Sequence, residues 1–190
     1  MKESIKKHIF EHKSVIDSMD GMEVTIEKIA DQMIKCLRKN GTIFWCGNGG
    51  SASDSQHLAG ELIGRFVDDR RPLKSIALNA DSAVMTCIVN DYGYEHIFSR
   101  QIEGLGSKGD ILVGITTSGN SQNIVNALDI ANKKGLFTIG LLGKGGGRAA
   151  KIAQQYVIIP SNTTGRIQEM HILIGHILCD LIESGLDLKK

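Results

Sequence analysis

Short, almost wholly apolar runs alternate along this chain with longer stretches whose apolar positions recur every three or four residues. The short runs are Thr42 to Trp45, Ser75 to Leu78, Ile111 to Ile115, Phe137 to Leu142 and Tyr156 to Ile159. Each is bounded by glycine, proline or polar turn signals, and each predicts a buried strand. Helical spacing covers Asp54 to Gly64, with Leu58, Leu62 and Ile63 marking its apolar side. It returns over Ser82 to Val89, where Asp81 is placed as the cap and Asn90-Asp91-Tyr92-Gly93 as the stop. Further helices are predicted over Ile97 to Leu105, Ile124 to Lys134 and about Thr164 to Glu183, with a short one after Gly143 to Gly147. Fully apolar strands alternating with helices mean a parallel sheet covered on both faces, an α/β three-layer sandwich.

Two helical stripes precede the first strand. Ile5, Ile9, His12, Ile16 and Met19 form one; Ile26, Ile29, Met33 and Leu37 form the other, and Asn40-Gly41 supplies a stop. Residues 1–40 are therefore an extension of a core spanning 41–190. The extension caps one side of the sheet or forms an oligomer interface, and the second reading is the favoured one.

A length of 190 residues suits one domain with a sizeable core. Hydrophobic content of 42% and formal net charge of +1 predict a globular protein with no global field for nucleic acid. No signal-peptide core and no apolar run long enough for a membrane span occur. Cys36, Cys46, Cys87 and Cys179 are scattered without a Cys-x-x-Cys pair, which fits reduced thiols in the cytoplasm.

The chemistry concentrates after the first strand, in Cys46-Gly47-Asn48-Gly49-Gly50-Ser51-Ala52-Ser53. A strand, a glycine-serine turn and a helix start present free amides and a positive dipole end, which suit an anion. The turn loosely matches a dinucleotide fingerprint. However, Asp68 and Asp69 precede the second strand instead of ending it, which argues against that reading. Gly143 to Gly147 lacks the Lys-Ser/Thr ending of a P-loop. Thr116-Thr117-Ser118-Gly119-Asn120-Ser121 repeats the hydroxyl-rich turn after another strand. Ligands in such folds bind beyond the carboxyl ends of the strands, where both turns lie. His57 and Glu61, at i and i+4, share one helix face and can address a single atom. The final helix is apolar yet carries Gln168, His171 and His176, polar groups that need partners when buried. His171 reads as a structural histidine, His8 and His12 as solvent or interface groups, and His96 has no assigned role.

Cys-Gly-Asn-Gly-Gly-Ser at Cys46 to Ser51, Thr-Ser-Gly-Asn-Ser at Thr117 to Ser121, and Arg-Ile-Gln-Glu-Met-His at Arg166 to His171 resemble the sugar isomerase (SIS) domain family. Within it they are most similar to the phosphoheptose isomerases, and the resemblance spans essentially the whole chain. It implies a flavodoxin-like SIS domain, one Zn2+ per subunit held by His57, Glu61, Gln168 and His176, and an acid–base pair of Glu61 and His176. It further implies substrate contacts from Asn48, Gly49, Gly50, Ser51, Glu61, Asn90, Asp91, Thr116, Thr117, Ser118, Ser121 and Gln168. The implied reaction is isomerisation of sedoheptulose 7-phosphate to D-glycero-D-manno-heptose 7-phosphate for bacterial surface polysaccharide. Gly165 stands where some members carry aspartate, so no carboxylate role is expected there; Thr116 replaces a serine conservatively. Two alternatives are a non-catalytic SIS protein like the DnaA initiator-associating protein and a SIS isomerase for another sugar phosphate. The presence of Glu61 and His176 argues against the first.

Helix geometry adds a constraint. Gln168 and His176 are eight positions apart, about 12 Å along an unbroken helix, whereas zinc bonds are only about 2.0–2.2 Å long. Either the helix begins after Gln168, or the two ligands come from different subunits. The second option predicts a homo-oligomer, a tetramer by resemblance, with sites at subunit interfaces.

Overall fold

A computed structural model describes residues 1–188. Helices α1 (Lys2–Asp17) and α2 (Glu23–Arg38) come first, then strand β1 (Ile43–Gly47) and helix α3 (Gly50–Ile63). Strand β2 (Ser75–Ala77), helices α4 (Ser82–Tyr92) and α5 (Ser99–Leu105), and strand β3 (Ile111–Thr116) follow. Helix α6 (Gln122–Lys133), strands β4 (Phe137–Gly143) and β5 (Gln155–Ile159), and helix α7 (Thr164–Gly185) complete the chain. All strand pairs are parallel, in the order β2-β1-β3-β4-β5. This is the flavodoxin-like doubly wound order, and it reverses between β1 and β3.

Side-chain alternation on the strands splits the core into two layers. Ile43 and Trp45 of β1, with Val113, Ile115 and Leu141, face α2, α3 and α7. Phe44, Cys46 and Leu112 face the opposite way, towards Ile88, Phe98, Ile102, Ile124 and Leu128. The expectation of a covered parallel sheet therefore holds on both faces. Trp45 is fully buried, and its indole N–H donates to Ser75 Oγ at 2.9 Å, which satisfies the one polar atom it brings inside.

The two extra helices divide the alternatives left open for them. Helix α2 buries Ile26, Ile29, Met33 and Leu37 and caps the sheet. Helix α1 buries only Val15, and leaves Ile5 and Ile9 more than half exposed and Phe10 at 70%. It is moored to the start of α7 by polar bonds. His12 Nδ1 lies 2.7 Å from Glu169 Oε2, and Arg166 donates to the His8 carbonyl at 2.6 Å. His12 thus has a partner within its own chain, which the apolar stripe did not foretell.

Candidate active site

Helix α3 begins at Gly50, four residues earlier than its apolar pattern indicates, because the first turn is made of glycine, serine and alanine. Its cap position, Gly49, contributes no side-chain bond, so the helix end keeps its dipole for an outside anion. Asn48 is fixed by reciprocal amide bonds with Asn123, both at 2.9 Å, and by the Tyr94 hydroxyl at 2.8 Å. Asn79 extends the β2–β1 pairing beyond the strand, donating to the Gly47 carbonyl at 2.8 Å. Gln168 stands against this turn: a Cβ added to Gly50 would lie 2.6 Å from Gln168 Nε2.

The second turn lies across the switch point, after β3. Buried Thr116 places its Oγ1 3.2 Å from Ser121 Oγ and 3.4 Å from Ser118 Oγ. Ser121 occupies the cap of α6 but makes no capping bond of its own, so three hydroxyls cluster at a second helix start. Thr117 and Ser118 are half-buried beside it. Asn90 and Asp91, at the end of α4, are exposed and bond to each other at 2.7 Å.

Two turns after the start of α3, His57 and Glu61 lie on a common face, with Nε2 to Oε1 at 3.0 Å. His176 arrives from α7, its Nε2 also 3.0 Å from His57 Nε2. Ligand atoms of His57, Glu61 and His176 all fall within 4.8 Å of one another, the only such group of His, Cys, Asp and Glu among the described residues. Gly175 permits this approach: a Cβ there would sit 2.5 Å from Leu58 Cδ2, so α7 and α3 touch nearly backbone to side chain. Phe66 stacks on His176, with ring centroids 5.4 Å apart. Asp54, one turn before His57, has Oδ2 buried without a hydrogen bond; burial raises its pKa, and His57 opposes that rise.

Helix α7 is continuous from Thr164, so the option that it begins after Gln168 is excluded. Glu61 and His176 meet within a single chain, and Gln168 of that chain stands beside Gly50 instead. His171 is fully buried, and its Nε2 donates to the Leu142 carbonyl at 3.0 Å. Burial pushes its pKa down to about 4, and the bond to Leu142 offsets this only in part. It is a neutral structural histidine. The bonds made by Asn79, Tyr94, Asn123 and Phe66 join residues far apart in sequence and carried no motif signal.

Residues 11–143 match the SIS domain family model. The chain is 48% identical to a phosphoheptose isomerase of Nitratiruptor sp., over 97% of this chain and all of that protein. It belongs to the SIS domain family, among the phosphoheptose isomerases. A phosphoheptose isomerase of Helicobacter pylori is 47% identical, with 94% of each chain covered. The solved phosphoheptose isomerase of Neisseria gonorrhoeae superposes with a TM-score of 0.92 at 38% identity, covering 96% of this chain and 98% of that one. The five-stranded sheet with its flanking helices is thus the SIS fold of this family.

Proposed function

We propose that this chain interconverts sedoheptulose 7-phosphate and D-glycero-D-manno-heptose 7-phosphate, the ketose–aldose step that begins nucleotide-activated heptose synthesis for bacterial surface polysaccharide. The observation that carries the reading is the meeting of Glu61 and His57, on the helix that opens at the first of two anion-suited turns, with His176. The turns at Asn48 to Ser51 and Thr116 to Ser121 hold the phosphate and the sugar hydroxyls through amides and hydroxyls. Asn90, Asp91 and Gln168 complete the substrate contacts.

The donor set suits a metal. Two imidazole nitrogens and a carboxylate oxygen are ligands that zinc takes. At 3.0 Å two neutral imidazoles can share only one proton, and a cation satisfies both lone pairs at once. His57, Glu61 and His176 would hold zinc, with Gln168 as a further ligand. Separation along α7 argues that this glutamine comes from a neighbouring subunit. When bound, zinc supplies positive charge to the substrate's carbonyl and hydroxyl oxygens.

The proton work falls to Glu61 and His176. One of them accepts the proton that leaves C1 of the ketose and returns it to C2. The other gives a proton to the C2 oxygen and removes the one on the C1 hydroxyl, so the enediol collapses to the aldose. Each positioned proton carrier contributes about 10²–10⁴-fold.

The enzyme works in the cytoplasm as a homo-oligomer, a tetramer by resemblance, built through the exposed apolar face of α1. No helix among the described residues is long and apolar enough to cross a membrane. Incubating purified protein with sedoheptulose 7-phosphate tests the reading. Ketose loss that stops with chelator and returns with zinc supports it, and an unchanged ketose in the zinc-loaded sample overturns it.

A further inference from the structure

Below the site lies a buried ion pair to which the reaction gives no part. Arg70 Nε donates to Glu183 Oε1 at 2.7 Å, with the two side chains 1% and 0% exposed. Such a pair is a poor source of stability, because desolvating two charges offsets most of their attraction. Its bonds, however, lead to the site from three directions.

The Arg70 guanidinium caps the end of α3. It donates to the carbonyls of Glu61 at 2.8 Å, Leu62 at 2.9 Å and Gly64 at 3.2 Å, the groups a helix end leaves without partners. Glu183 lies on α7 seven residues after His176, hence on nearly the same face. Its carboxylate accepts the amides of Phe66 at 3.0 Å and Val67 at 3.2 Å. Burial works to raise the Glu183 pKa, but those amides and Arg70 outweigh it and hold the group ionised. Phe66, held in this way, is the ring stacked on the His176 imidazole. Cys179 lies between the two levels. Burial first, then the Glu61 and Glu183 carboxylates, push its thiol up to about 12, so it stays an unreactive filler.

We propose that Arg70, Glu183 and Phe66 form a brace that positions the His57–Glu61–His176 group. Arg70 fixes the turn bearing Glu61, Phe66 fixes the plane of His176, and Glu183 joins both to α7. These are positioning residues; none touches the reacting atoms. The assignment rests on reading that group as the metal-binding and catalytic centre. Arginine is required because its planar fork serves several acceptors at once, whereas lysine offers one point charge.

The test uses the full-length protein, a Co2+ titration read by visible absorption, and kinetics on sedoheptulose 7-phosphate. Phe66→Leu leaves the ion pair intact, and Arg70→Lys keeps the charge but loses the fork. Outer-shell partners of this kind are worth about 10–100-fold in metal affinity or activity. Both variants should weaken Co2+ binding by about tenfold or more and lower kcat by a similar factor, with KM within about threefold of wild type. Ser75→Ala is the control. It removes the buried Trp45 bond, in which no brace residue and none of His57, Glu61 and His176 takes part, and should change neither reading. Wild-type values in both brace variants, or an equal loss in Ser75→Ala, would overturn the brace. Wild type that binds Co2+ without turning over the sugar overturns the functional reading alone, and the Co2+ affinities then decide the brace. Wild type that binds no Co2+ overturns both.

Discussion

The Nε2 atoms of His57 and His176 face each other at 3.0 Å across the contact between α3 and α7. Their approach depends on Gly175, where a Cβ would meet Leu58 Cδ2 at 2.5 Å. Gly175→Ala should therefore push α7 away from α3, at a cost of about 1–3 kcal/mol from overpacking. It should also separate His176 from His57 and Glu61. Zinc at a hundred times its Kd stabilises a folded protein by about 2.7 kcal/mol. Calorimetry with and without zinc should show that rise in wild type and much less of it in Gly175→Ala. The double variant with Leu58→Ala reopens the space and should recover part of the rise.

Phosphate recognition should depend on the turn after β3, where Thr116, Ser118 and Ser121 cluster their hydroxyls. A hydrogen bond to a charged group contributes about 1.5–3 kcal/mol. Ser118→Ala and Ser121→Ala should each raise KM by about tenfold or more, with kcat changed far less. An unchanged KM in both variants would place the phosphate elsewhere.

Stability should fall in mild acid because of His171. Its folded-state pKa is about 4, below the ordinary value of 6.5, with burial as the main cause. Between those values the unfolded chain takes up a proton that the folded chain refuses, so stability is lost as pH falls through that window. At about 1.4 kcal/mol per pH unit, the full loss approaches about 3 kcal/mol. Urea midpoints at pH 7 and pH 4.5 should differ more in wild type than in His171→Gln. Equal differences would mean that His171 is protonated in the folded protein.

Assembly should depend on α1, whose Ile5, Ile9 and Phe10 are exposed in the isolated chain. Sedimentation should find an oligomer, and Phe10→Asp combined with Ile9→Asp should shift it to smaller species. A wild-type monomer with full activity would remove any shared site. Mixing Glu61→Gln with His176→Ala subunits should not restore activity, because those two residues meet within one chain.

Much of this could be read from local patterns. Strand runs such as Ile111 to Ile115 carry their own apolar signal, and His57 with Glu61 is visible as an i, i+4 pair. The start of α3 was hidden because Gly50, Ser51 and Ser53 have weak helix propensity, yet they open the helix. The Arg70–Glu183 pair was out of reach, since its members are 113 residues apart and each alone resembles a surface charge. The place of Gln168 beside Gly50 follows from how α7 crosses the sheet, and only packing reveals it.

Proton NMR of the zinc-loaded protein with sedoheptulose 7-phosphate, recorded in parallel for Glu61→Gln, tests the central claim most directly. The account predicts that aldose heptose 7-phosphate resonances grow in with wild type and are slowed by about 10²-fold or more in the variant. Wild type that forms no aldose, or Glu61→Gln that forms it at the wild-type rate, would contradict it.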